Sequence, residues 1–195
     1  MSYAVRPLTP SRWDDLLELF GERGAYSGRW CMFYRQSGKE FTANAHGGNR
    51  RAFKALVDGR RTPGLLAYDG GTVVGWCSVA PRGEFGRIER SPVVKPADDL
   101  TGVWSLVCFY IDRNHRGRGV ATALLEAAEA YARKRGARWL EAYPVDPFGG
   151  RSGSAAVRKI DNATAFVGVA SMFENAGFEV VTRRKPGRPI MRKRL

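Results

Sequence analysis

The chain has 195 residues, 44% hydrophobic and 26% charged, with 32 lysines and arginines against 19 acidic residues, for a formal charge of +13. That length suits a single domain over residues 1–195 with a core of its own. No apolar run approaches the ~20 residues that cross a bilayer, and the start lacks the basic and apolar regions of a secretion signal, so a cytoplasmic protein with no membrane partner is expected.

Residues 3–9 form a short extended stretch closed by Pro10, after which Ser11 caps an amphipathic helix with Leu16, Leu17, Leu19 and Phe20 on one side. Residues 21–48 show no dependable period, yet 29–35 (Arg-Trp-Cys-Met-Phe-Tyr-Arg) are too apolar for a plain loop and are expected to line something. A second helix is predicted over 49–57, stopped by Gly59. Residues 64–68 and 72–80 make a hairpin across Asp69-Gly70-Gly71. Residues 81–101 carry three prolines and mixed charge, which predicts a long surface connection.

Residues 103–111 are nearly all apolar, as in a strand buried on both faces. Val120, Leu124, Ala128 and Tyr131 recur at helical spacing, which predicts a helix over 120–135 ended by Gly136. A strand over 139–145 puts Leu140 and Ala142 on one face, Glu141 and Tyr143 on the other. A Gly/Ser/Arg-rich stretch over 146–162, a helix over 164–176 and a terminal hairpin (179–183 with 189–195, turning at Lys185-Pro186-Gly187) complete the chain. This order describes a mixed α/β layer around one central sheet.

Cys31, Cys77 and Cys108 are widely spaced among large apolar neighbours, as reduced and buried thiols are, and with only His46 and His115 besides no metal site is expected. The positive charge attracts anions, among them nucleic acid and polyphosphate ligands. It is spread along the chain rather than gathered in one tail, which favours a solvated arginine-rich surface over a dedicated nucleic-acid interface.

Between the buried strand and the best helix lies Arg113-Asn114-His115-Arg116-Gly117-Arg118-Gly119, followed by Val120, Ala121 and Thr122. Glycines at a helix N-terminus let backbone N–H groups approach phosphate oxygens, and Arg116 and Arg118 add positive potential. A P-loop needs Lys and Ser/Thr where Val120 and Ala121 stand. A dinucleotide fold needs this loop after its first strand, whereas over a hundred residues precede it.

Arg116, Gly119 and Ala121, set between that strand and helix, resemble the Arg/Gln-x-x-Gly-x-Gly/Ala signature of the Gcn5-related N-acetyltransferase (GNAT) superfamily. The resemblance extends to the Asp-Gly-Gly hairpin and to residues 171–178, which are similar to a Phe-Tyr-Glu-x-x-Gly-Phe pattern of that family. It implies a mostly antiparallel, twisted sheet of about six to seven strands, splayed at the cofactor site and flanked by about four helices. It also implies acetyl-CoA as cosubstrate, its pyrophosphate on the amides of residues 117–122 and its pantetheine arm along Phe109, Tyr110 and Ile111. An amine acceptor follows from the same likeness, and a homodimer is compatible with it.

Attack of an amine on a thioester needs a neutral nitrogen, an oxyanion donor and a proton for the leaving thiolate. Backbone N–H groups of residues 107–111 suit the oxyanion. Glu141 is the first candidate base, against a plain carboxylate pairing an arginine, with Glu84 and Glu89 as alternatives. Where family members often have an acidic tyrosine, this chain has Phe173, so Tyr143 or Tyr110 is expected to substitute unless water alone serves; Phe166 stands near an expected Asn. Cys108 suits a buried structural thiol better than an acyl carrier. Trp30, Phe33 and Tyr34, with Glu84, Phe85 and residues 149–154, are candidates for the acceptor pocket, against plain aromatic packing.

Overall fold

In a computed structural model that describes residues 2–149 and 165–195, seven strands pair into one sheet. They are β1 (Ala4–Pro7), β2 (Leu65–Asp69), β3 (Thr72–Pro81), β4 (Val103–Ile111), β5 (Trp139–Ala142), β6 (Glu179–Lys185) and β7 (Arg188–Arg194), in the order β1-β2-β3-β4-β5-β7-β6. Every pairing is antiparallel except β4 with β5. The β2–β3 turn has Gly70 and Gly71 at φ +55° and +96°, the two positive values that a tight two-residue hairpin of the favoured twist requires.

The helices among the described residues are α1 (Trp13–Phe20), α2 (Gly38–Ala43), α3 (Gly48–Asp58), α4 (Gly86–Arg90), α5 (Val120–Lys134) and α6 (Ala170–Asn175), two more than expected. The additions, α2 and α4, are six and five residues long, too short to display a 3.6-residue period. The expected helix over 164–176 is shorter, with a single tight turn at Ala165–Val167 ahead of α6. The expected strand over 139–145 stops at Ala142, and the connection over 81–101 buries Phe85, Ile88 and Val94, so it is part of the core as well as surface.

Two apolar layers sandwich the sheet. On one face Trp13, Leu16 and Phe20 of α1 and Phe53 and Val57 of α3 pack with Leu66, Trp76 and Val107. On the other, Val120, Leu124 and Ala128 of α5 and Phe173 of α6 pack with Val74, Cys77, Leu106 and Leu140. β4 lies between them with its central residues buried, as its unbroken apolar run demands. Gly75 lets α5 approach closely: a Cβ there would sit 2.6 Å from Val120 Cγ1 and 3.1 Å from Leu124 Cδ1. The first turn of α5, and the loop that precedes it, are therefore held against β3.

Candidate active site

The central feature is an interruption in strand pairing. β5 follows β4 only from Val103↔Trp139 to Leu106↔Ala142, while β3 stays paired with β4 as far as Ile111. Beyond Ala142 the chain takes other partners: Val145 donates to Gly168 O (3.0 Å), Ala170 donates back to Val145 O (2.8 Å), and Asp146 donates to Gly187 O (2.8 Å). These bonds draw the continuation of β5 away and, among the described residues, leave 107–111 without a strand on that side.

Alternation decides which peptide groups face the gap. Asp112 N–H reaches Val74 O on β3 (3.0 Å), so the groups of Tyr110 and Cys108 face β3 as well, and those of Phe109 and Ile111 face the opening; Val107 is the extra residue of a bulge where the β3–β4 register shifts. Among the described residues only the Ile111 end is bridged, its carbonyl accepting Arg116 Nε at 3.3 Å. From Ile111 to Val107 the open edge runs about 13 Å at strand rise.

At the outer end of this edge the glycine loop enters α5. Gly117 and Gly119 have φ +71° and +84°, the left-handed region that glycine occupies without a steric penalty. Among the described residues no side chain caps the first turn, and no acceptor meets the amides of residues 117–122. Those unpaired donors, with Arg116 and Arg118 exposed beside them, form a cradle for an anion at the positive end of a 15-residue helix. Arg116, Gly117, Arg118, Gly119, Val120, Ala121 and Thr122 thus stand together. Tyr3 OH donates to Arg118 O (3.0 Å), and the Asp112 carboxylate accepts Asn114 N–H and His115 Nδ1 (2.9 Å each), bracing the loop. The hydrogen bond from His115 holds the Asp112 carboxyl below its ordinary range.

At the inner end the gap widens into a small apolar pocket of about 40 Å³, lined by residues 107–110 and by Cys31, Phe33, Tyr34 and Phe166. A cleft of about 840 Å³ adjoins it and shares Phe33, Tyr34, Arg29 and Phe166 as walls. Burial pushes the Tyr34 phenol above its ordinary value despite the neighbouring Arg188 and Arg87 guanidiniums, so the hydroxyl keeps its proton. The Cys31 and Cys108 sulfurs lie 3.1 Å apart. That hydrogen bond and burial raise the Cys108 thiol well above the usual range, which suits a structural thiol and not a nucleophile.

Four expected residues, Glu141, Trp30, Glu84 and Tyr143, lie elsewhere. Glu141 is completely buried and lines neither opening: its Oε2 accepts Arg192 Nη2 (2.6 Å) and Nε (3.0 Å), and its Oε1 accepts the Tyr143 hydroxyl (2.6 Å). Arg192 is also held by Asp98, and Arg82 Nη1 comes within 3.7 Å of Glu141. A carboxylate with both oxygens committed inside such a network has no lone pair turned toward the gap, which is the plainer alternative weighed for it. Trp30 packs between Trp13 and Phe20 in the core, and Glu84 is bound to Arg35 (2.8 Å), so neither lines the cleft.

Tyr143 is also fully buried, stacked on Tyr34 with ring centres 6.3 Å apart and sharing its hydroxyl with Ser105 Oγ (2.9 Å) and Glu141. Burial, then the Glu141 charge, push its phenol well above 10, which makes it a poor proton donor to a thiolate. Phe173 is buried against Phe109 and Phe178. Residues 150–154 of the expected acceptor loop lie outside the described residues, while Gly149 is inside them. Sequence reasoning missed Arg87, Arg90 and Arg188 as cleft residues; the first two sit in the connection it had singled out, and Arg188 follows the hairpin turn it had identified.

Residues 25–147 match the acetyltransferase (GNAT) family. No curated protein sequence matches the chain. Similar solved structures include the PaiA N-acetyltransferase of Thermoplasma acidophilum in complex with coenzyme A (14% identity, all of both chains, TM-score 0.55). Others are the ribosomal-protein-alanine N-acetyltransferase of Brucella melitensis (20%, 98% of this chain and 99% of that one, TM-score 0.55) and the acetyltransferase yncA of Salmonella typhimurium with its cofactor acetyl-CoA (14%, 100% and 95%, TM-score 0.55).

Proposed function

This chain belongs to the acetyltransferase (GNAT) family, and from that premise we propose that it transfers the acetyl group of acetyl-CoA to a primary amine of a small molecule or peptide, by direct attack in a ternary complex. The observation that carries the proposal is the pairing of an open β4 edge with the acceptor-free amides of residues 117–122 at its end. Those amides and Arg116 hold the pyrophosphate. The peptide groups of Phe109 and Ile111 lie along the pantetheine arm, and the pocket beside Val107 receives the acetyl methyl.

The acceptor approaches through the cleft, past Phe33 and Tyr34. Its neutral nitrogen attacks the thioester carbonyl carbon, the C–S bond breaks, and the proton lost by nitrogen passes through water to the sulfur. A peptide N–H of Val107 or Phe109 meets the oxygen on which charge develops. Tyr34, protonated and lining both openings, orients the incoming amine. Glu141 and Tyr143 are positioning residues: they hold the end of β5 where it parts from β4. Among the described residues no helix is long and apolar enough to cross a membrane.

A thermal melt with and without saturating acetyl-CoA tests this. Ligand at 100 times Kd stabilises the fold by about 2.7 kcal/mol, which for a chain of this size raises Tm by roughly 5–11 °C. The shift disappears in an Arg116→Glu, Gly119→Glu double variant. An unshifted parent sinks the proposal and turns attention to nucleic acid as the partner of the basic surface.

A further inference from the structure

We propose that the cleft selects an acceptor that carries an anionic group, a carboxylate or a phosphate, on the same molecule as its amine. This deepens the transferase assignment above and rests on it.

Three separate segments bring cations to one cavity: Arg29 from the stretch after α1, Arg87 and Arg90 from α4, and Lys185 and Arg188 from the β6–β7 turn. The one carboxylate among the described lining residues, Asp146, is already engaged, accepting Arg183 Nη1 at 2.6 Å and the Phe148 N–H at 2.9 Å. Other acidic groups nearby are spent on other arginines, Glu84 on Arg35 and Glu141 with Asp98 on Arg192. The exposed Glu40 reaches the rim near Arg90. Among the described residues the cavity wall is therefore positive without a matching internal counter-charge.

Two of these guanidiniums are incompletely satisfied. Arg87 Nη2 and Arg188 Nε are buried from solvent and have no hydrogen-bond acceptor among the described residues. A desolvated N–H without an acceptor is costly, and a bound anion is the ligand that removes the cost. Both groups are also fixed in direction. Arg188 Nη2 donates to Tyr143 O (3.3 Å) and reaches Tyr34 OH (3.4 Å); Arg87 Nε donates to Gln36 O (3.1 Å) while its guanidinium lies 4.1 Å over the Phe33 ring. Solvated surface arginines are not pinned in this way.

The placement divides the labour within one acceptor. Phe33 and Tyr34 belong to both the cleft and the pocket at β4, so a molecule anchored by its anion on Arg87 and Arg188 extends its amine toward the gap. A cavity of about 840 Å³ has room for an amino-acid-sized or larger acceptor.

The test uses matched amines on the full chain: O-phosphoethanolamine against ethanolamine, and L-phenylalanine against L-phenylalaninamide. Calorimetric binding in the absence of acetyl-CoA is measured for the parent, Arg87→Gln, Arg188→Gln and, as a control on the exposed surface, Arg23→Gln; kcat/KM is measured where turnover occurs. In at least one pair the anionic member is expected to bind tenfold or more tightly, and that preference to fall at least tenfold in Arg87→Gln and Arg188→Gln but not in Arg23→Gln. Which pair responds separates phosphate from carboxylate. Equal binding within both pairs overturns the proposal, as does a preference that survives both cleft substitutions or falls equally in the control. Circular dichroism and the acetyl-CoA melting shift confirm that each variant is folded. A selective cleft in a protein that acetyl-CoA fails to stabilise overturns the transferase assignment and not the anion site.

Discussion

Substituting Glu141 by Gln distinguishes a chemical role for this carboxylate from an architectural one. The replacement is nearly isosteric, so no cavity opens, and an amide oxygen still accepts the Tyr143 hydroxyl. The charge opposite Arg192 is lost. Arg192 donates to Glu141 Oε2 through two nitrogens, at 2.6 and 3.0 Å, and Arg82 stands 3.7 Å away, all around a carboxylate with no exposed surface. Removing one partner of a buried ion pair costs about 3–5 kcal/mol, and the low end applies because Asp98 still holds Arg192 at 2.7 and 3.1 Å. At roughly 2–4 °C per kcal/mol for a domain of this length, a loss of about 3 kcal/mol lowers Tm by about 6–12 °C. The assay pairs a thermal melt with thiol release from acetyl-CoA at 20 °C, well below the transition. The expected outcome is a large fall in Tm with kcat/KM changed by less than about threefold, since a positioning residue acts through the fold. If Tm moves by less than about 2 °C while the rate drops by the 10²–10⁴ typical of a lost general base, the positioning role is refuted and Glu141 is catalytic after all.

The pocket beside Val107, about 40 Å³, has room for a methyl group and little more, so hexanoyl-CoA is expected to give a kcat/KM at least tenfold below that of acetyl-CoA; equal rates would show that the pocket is not where the acyl group goes. Burial raises the phenols of Tyr34 and Tyr143 above 10, and burial followed by a hydrogen bond to Asp15 does the same for Tyr68. Because the folded values exceed the unfolded one, these groups contribute stability that is fully present below pH 10 and declines as pH climbs beyond it. Absorbance at 295 nm should therefore show their ionisation arriving together with loss of near-ultraviolet circular dichroism; smooth ionisation of all seven tyrosines in an intact fold would contradict the burial assigned to them.

How much of this was legible in the sequence follows from the range of the interactions involved. The buried strand 103–111, the Asp69-Gly70-Gly71 turn and the glycine loop before α5 are local patterns, and each stands in the fold where its pattern put it. Helix α2 carried a local signal too, the Ser37–Glu40 capping box, but only six residues follow to support it. The gap beside β4 has no local signature. It depends on Val145 pairing with Val169 and on Asp146 pairing with Gly187, contacts across tens of residues that no periodicity encodes. The surroundings of Glu141 were hidden for the same reason: alternation correctly turned it away from Leu140 and Ala142, but its partner, Arg192, lies 51 residues on.

The charge of +13 illustrates the difference between counting residues and placing them. Composition alone favoured a diffuse basic surface, and much of the surface is that. Inside the fold the accounting is uneven. Glu84, Glu141, Asp98 and Asp146 are each committed to arginines that brace the core or the β5 and β7 strands, and among the described residues the arginines facing the cleft have no such carboxylates of their own. The same chain therefore holds two positive sites of different construction. At residues 117–122, the proposed pyrophosphate site, the positive potential comes from backbone amides and a helix end, which suit a phosphate whatever side chains stand there, provided the glycines keep their dihedral angles. In the cleft it comes from guanidiniums fixed by rings and carbonyls, so replacing a single arginine there is expected to change which molecule is recognised without disturbing the proposed acetyl-donor site.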